Sequence, residues 1–144
     1  MEIIKITPET GKHHFYNDTK IIDFLYQHLD QYGDDKASIN KCLDYVFTPN
    51  KGGLILLATE NNEIVGATII NNTGMGGYIP ENILVYIAVN KNQRGKGVGK
   101  QLMQHAINET TGDIALHVEK DNPAKFLYEK MGFTNPYLEM RLKK

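Results

Sequence analysis

The sequence predicts a mixed α/β fold whose elements follow the order β-α-α-β-β-β-α-β-α-β. Three observations predict it. Apolar residues recur at the helical spacing of three and four in four stretches. Six β-rich runs of five to seven residues flank or separate those stretches. The composition, 41% hydrophobic and 23% charged over 144 residues, is that of one globular domain spanning 1–144, long enough to bury roughly two thirds of its unfolded surface.

Glu2 to Ile6 alternates and reads as a short first strand. Ile21, Ile22, Leu25, His28, Leu29 and Tyr32 form the stripe of a first helix, with Asp18 and Thr19 as caps and Gly33 as its stop. Ile39, Cys42, Leu43, Val46 and Phe47 repeat the pattern before Pro49 closes it. Cys42 lies on that stripe and reads as a small buried hydrophobe rather than a nucleophile. Leu54 to Ala58 and Ile64 to Ile70 are strands joined as an antiparallel hairpin through Glu60-Asn61-Asn62-Glu63, where Asn tolerates the positive φ of a tight turn. A glycine-rich loop over 71–77 leads to Ile83 to Val89, whose near-continuous apolar character suits a central strand covered on both faces. Val98, Leu102, Ala106 and Ile107 mark a helix ending near Gly112, and Ile114 to Val118 is the next strand. Asn122 as N-cap and Pro123 at the first position open a last helix that Gly132 ends. Leu138, Met140 and Leu142 alternate with Glu139 and Arg141 as a terminal strand.

Several classes are excluded. One cysteine rules out an internal disulfide, and five scattered histidines match no zinc spacing, so no metal is expected. No apolar run approaches the ~20 residues of a membrane span. The start, MEIIKITPETGKHH, lacks a signal-peptide core, and the expected compartment is the cytoplasm. Residues 1–72 carry six lysines and ten acids, whereas 73–144 carry ten Lys or Arg and seven acids. The cationic excess is concentrated between Lys91 and Lys100, which holds four cations, three glycines and no acid.

That loop is the informative unit. Glycines let successive N–H groups turn into one concavity, and the helix that follows adds its free N–H groups and positive dipole end. Such a site wants a phosphate, with Arg94, Lys96 and Lys100 adding charge. A Walker A loop fails because Arg94 and Gln101 stand where glycine and Ser/Thr are required. A dinucleotide fingerprint lacks its third glycine, since position 100 is Lys, but Glu119 falls near the position of its ribose-binding acid, and that reading stays open at this point.

Here the chain resembles the GNAT family of acetyl-coenzyme A dependent N-acetyltransferases. The family's pyrophosphate signature is matched by Arg94-Gly95-Lys96-Gly97-Val98-Gly99, preceded by a strand ending Ile87-Ala88-Val89. The stretch from Leu116 to Phe133 resembles its second signature. The resemblance implies a GNAT-like acyltransferase fold and acetyl-CoA as cosubstrate. Backbone amides from Gly95 to Lys100 would hold the pyrophosphate, and the main chain of Ile87, Ala88 and Val89 would pair with the pantetheine arm like an added strand. Asn122 would contact the arm from the other side. Many members have one more residue between this Asn and the Tyr, so Asp121 competes with Asn122 for the position. Tyr128 would act as general acid for the thiolate leaving group.

The general base has two candidates. Glu81 precedes the central strand, on which histone-type relatives carry a carboxylate where this chain has Ile83. His117 occupies the place of a catalytic Glu in some N-terminal acetyltransferases. The expected activity is transfer of an acetyl group to a primary amine by direct attack, the alternative being a catalytically silent CoA-binding module. The acceptor side would be built by the two early helices and the loop before Pro80, whose acids Asp30, Asp34, Asp35 and Asp44 favour a cationic acceptor. The cationic loop lacks interleaved aromatics, so no nucleic-acid partner is expected. Neither is a membrane partner, and the chain is expected to be a monomer or homodimer.

Overall fold

Asn61 and Asn62 adopt φ of +53° and +63°, the left-handed pair a two-residue hairpin turn requires. In the computed structural model, which describes residues 1–144, they join β2 (Gly53–Glu60) to β3 (Glu63–Asn72). β1 (Glu2–Ile6) pairs antiparallel with β2, and β3 pairs antiparallel with β4 (Asn82–Val89). β5 (Ile114–Ala115) lies parallel to β4, so the five strands stand in chain order. Four helices cover the sheet: α1 (Asp18–His28), α2 (Lys36–Phe47), α3 (Val98–Glu109) and α4 (Ala124–Lys130). None is long and apolar enough to cross a membrane.

The two faces of the sheet carry separate cores. Ile55, Leu57, Ala67 and Ile69 meet Ile21, Leu25, Ile39 and Leu43 of α1 and α2. Leu54, Leu56, Ala58 and Ile70 meet Val98, Leu102, Met103 and Ala106 of α3. Gly66 lets α3 approach, since a Cβ there would lie 2.8 Å from both Leu102 Cδ1 and Val98 Cγ1. Cys42 is buried on the α2 face; its thiol donates to Asn71 Oδ1 at 3.5 Å, and burial pushes its pKa up to about 12.

Several expectations are corrected. The first helix is capped one residue earlier than expected, by Asn17, whose Oδ1 accepts the Lys20 N–H, and it ends at His28. Leu29 and Tyr32 continue the stripe, but Asp30 takes φ +56° and the chain passes into a 3-10 turn over Asp30–Tyr32. The strand expected over 114–118 is paired only at Ile114 and Ala115. The terminal strand expected at 138–142 does not form, and Leu138, Met140 and Leu142 are exposed. Alternation marks a strand only where a sheet edge receives it, and β5 offers an edge two residues long.

β4 departs from the expected strand covered on both faces. Ile69 faces Tyr86 while Ile70 faces Leu84, so Val85 is an extra residue without a partner on β3. Such a bulge reverses the alternation. Leu84 joins the α3 core, whereas Tyr86 and Ala88, at the same parity, join the α1 and α2 core. Beyond Ile83 β4 has no partner on its β5 side, and this unpaired stretch of edge is the cleft of the sheet.

Candidate active site

The loop from Gly95 to Gly99 is built as its glycines require. Gly95 and Gly97 take φ of +79° and +84°, and a Cβ at either would meet nothing within 4 Å, so the concavity is open. No N–H group from Arg94 to Lys100 finds a carbonyl or side chain within the protein, and Gly97 caps α3 without a side-chain acceptor. This fan of amides at a helix N-terminus fits a pyrophosphate. Lys96 and Lys100 are exposed and free of ion pairs. Gly99 has another role: its Cβ would stand 3.3 Å from Leu127 Cδ2, so its bareness seats α4 against α3.

Arg94 is exposed but held by two main-chain carbonyls. Its Nε donates to the Val89 carbonyl at 3.2 Å and its Nη2 to the His28 carbonyl at 2.9 Å, with Asp30 3.4 Å away. The arginine thereby ties the loop to the end of α1.

The cleft edge follows from strand geometry. Asn90 donates its N–H to Val65 of β3. Main-chain groups alternate along a strand, so those of Ile87 and Val89 point to the unpaired side, where an extended amide-bearing arm would pair. Ala88, between them, points its main chain towards β3 and its side chain into the core.

Tyr128 comes from α4 into the core beneath α3. It is buried, yet its hydroxyl has no partner in the chain. Every fully enclosed side-chain nitrogen or oxygen does have a partner, so this hydroxyl retains access to the space outside. Burial, and secondarily the charge of Glu119, pushes its pKa up to about 12, which keeps the proton on the oxygen at neutral pH. Asn122 Oδ1 accepts the Ala124 N–H at 2.9 Å and so caps α4, while its Nδ2 reaches Glu119 at 3.4 Å. Asp121 is tied in differently: its carbonyl accepts from the Tyr32 hydroxyl at 3.2 Å.

The two base candidates sit in different surroundings. Glu81 Oε1 accepts the Asp113 N–H at 2.8 Å, beside the rung where β4 and β5 are still paired. That hydrogen bond leads the causes that hold its carboxyl below the usual range. His117 is exposed and makes no hydrogen bond, while its neighbours Leu116 and Val118 pack against the α3 core.

One pair was not singled out from sequence. The Tyr86 hydroxyl donates to Asp34 Oδ2 at 2.5 Å, joining β4 to the turn before α2. Only the acidity of the early segment pointed towards Asp34, and Tyr86 looked like one apolar strand residue among seven.

An unpaired edge of β4 that runs into a loop of free amides at the N-terminus of α3 fits an extended, anionic ligand. The comparisons with known proteins make the class specific. Residues 51–135 match the family described as acetyltransferase (GNAT) domain, and the chain belongs to that family. These proteins transfer acetyl groups and use acetyl-CoA. A 5-NmdU N-acetyltransferase of Pseudomonas phage PaMx11 is 33% identical over 84 residues, 57% of this chain. The chain spans 58% of the length of that curated relative. Among solved structures, an aminoglycoside N-acetyltransferase in complex with CoA superposes with a TM-score of 0.71 at 14% identity, over 99% of this chain and 93% of the other. An aminoglycoside antibiotic 6′-N-acetyltransferase from Acinetobacter haemolyticus gives 0.68 at 17% identity, over 100% and 98%. These likenesses establish the fold.

Proposed function

We propose that this protein moves the acetyl group of acetyl-CoA to a primary amine by direct attack, with no acyl-enzyme. The observation that carries the reading is the unpaired edge of β4 beyond Ile83, which runs directly into the loop of free amides that opens α3. Acetyl-CoA would supply the activated thioester, held by the amides of Gly95 to Lys100 and by the main chain of Ile87 and Val89, with Lys96 and Lys100 near the phosphates. Asn122 serves by holding the first turn of α4, and with it Tyr128, in place. Tyr128 donates its proton to the departing sulfur. His117 is the better base of the two candidates because its imidazole is free of partners, whereas Glu81 is committed to Asp113. Cys42 supports direct attack, since its raised pKa and buried thiol make a poor nucleophile.

The acceptor class is a cationic primary amine. Aminoglycosides are the acceptors in the names of two structural neighbours, and 5-NmdU stands in the name of the phage relative. The test is thiol release from acetyl-CoA in the presence of spermidine, kanamycin, 5-NmdU and free N-terminal peptides. Amine-dependent release is expected with at least one. Binding of acetyl-CoA with no amine-dependent release would reassign the protein as a silent CoA-binding module. In the active enzyme, kcat should survive Glu81→Gln and fall about 10²-fold or more in His117→Ala, with acetyl-CoA affinity near wild type. Activity that persists in both variants would mean that neither residue is the base and that the enzyme works by orientation.

A further inference from the structure

We infer that Asp34, positioned by Tyr86, is the carboxylate that receives the ammonium group of the acceptor, an inference that rests on the acetyltransferase reading above. It begins with the bulge at Val85. In a regular strand Tyr86 would share a face with Leu84 and point into the α3 core; the extra residue turns it to the opposite face, under α1 and α2. There its hydroxyl meets Asp34 at 2.5 Å.

The segment carrying Asp34 spans the cleft. Two residues earlier, Tyr32 holds the Asp121 carbonyl in the loop that leads from β5 to α4, while Asp34 itself is held to β4. The segment from Tyr32 to Asp34 thus touches β4 on one side and the loop between β5 and α4 on the other, and Asp34 is exposed on the face opposite the α3 core.

Asp34 shares with Asp35 and Asp44 the lack of an ion pair, but Asp35 accepts the Ser38 N–H as the cap of α2 and Asp44 faces the Asn40 amide, whereas the other nearby aspartates are matched by cations. Asp18 pairs with Lys12, Asp23 with Lys36, and Asp30 with Lys91 and Arg94. Asp34 has only the neutral Tyr86 hydroxyl, which orients the carboxylate without compensating its charge. Burial and the adjoining carboxylate both raise the tyrosine's pKa, so it stays a donor. A fixed, uncompensated carboxylate beside an acetyl-transfer cleft selects a cationic partner and sets its approach.

The test is a KM-against-kcat split with spermidine and kanamycin as acceptor probes, accompanied by calorimetric binding of acetyl-CoA. Asp34→Asn keeps the shape and the bond to Tyr86 but removes the charge. Its KM for the amine should rise about tenfold or more, with kcat and acetyl-CoA affinity changed by less than about threefold. Tyr86→Phe frees the carboxylate and should raise KM by a smaller factor, again sparing acetyl-CoA binding. Asp23→Asn, which removes the same charge elsewhere, should leave KM unchanged. If the wild type acetylates an amine and Asp34→Asn shows wild-type KM, or loses only thermal stability, this inference alone is overturned. A wild type that binds acetyl-CoA and acetylates no amine overturns the proposed function and this inference with it.

Discussion

Arg94 Nη2 donates to the carbonyl of His28 at 2.9 Å across 66 residues of sequence. A residue whose position in the glycine loop suggests phosphate binding also ties that loop to the C-terminal end of α1. Its Nε on the Val89 carbonyl extends the tie to the last residue of β4.

Arg94→Ala should therefore act first on structure. Losing donors to two main-chain carbonyls costs about 1–2 kcal/mol, read as a lower melting temperature. Acetyl-CoA affinity should fall because the loop loses its anchor, and the loss should change little with salt. A variant of wild-type stability whose affinity loss shrinks steeply with added salt would instead place the guanidinium on the phosphates.

His28 predicts how stability responds to acid. It is buried, its Nδ1 accepts the Lys91 N–H at 3.3 Å, and its pKa lies below 6.5 through burial first and then the charges of Arg94 and Lys91, Asp30 opposing. The unfolded chain thus takes up this proton at higher pH than the folded one. Stability is full above the unfolded value and declines as pH falls below it towards the folded pKa. Melting temperature measured from pH 7.5 to 5.5 should drop, and His28→Gln should flatten that drop. The carboxylates held low, Asp30 and Glu81, act in a more acidic window.

Tyr128→Phe keeps the packing of the ring against Phe133 and removes the hydroxyl. We expect kcat to fall about 10²-fold or more with acetyl-CoA affinity near wild type. With its pKa near 12, the tyrosine should leave no falling limb in the rate profile below about pH 10. Near-normal kcat where chemistry limits the rate would return Tyr128 to a core aromatic.

Gly97 and Gly99 should separate binding from packing. Gly97→Val places a β-branched residue at φ +84° in open space, where nothing but the backbone and the ligand site is disturbed. It should cost about 1–2 kcal/mol of stability and weaken acetyl-CoA binding tenfold or more. Gly99→Val meets Leu127 and should loosen α4, lowering the melting temperature further and kcat together with affinity. Equal effects of the two variants on stability and on binding would contradict this division.

What the sequence determined by itself is local. The hairpin at Asn61 and Asn62, the open concavity from Gly95 to Lys100, the cap at Asn122 and the four helical stripes all depend on φ preferences and on spacing within a few residues, which composition at each position controls directly. The tertiary structure decided the rest. Which side Tyr86 faces depends on the register of β4 against β3, and one unpaired residue, Val85, reverses it. Whether Arg94 and Glu81 are free depends on carbonyls and amides brought in from His28 and Asp113, distant in the chain. Leu138 to Leu142 alternates like a strand, yet a strand is a relation to an edge, and β5 pairs with β4 over two rungs only. That short pairing leaves the cleft, and no pattern within either strand records it, because it arises from how far two segments about 30 residues apart remain side by side.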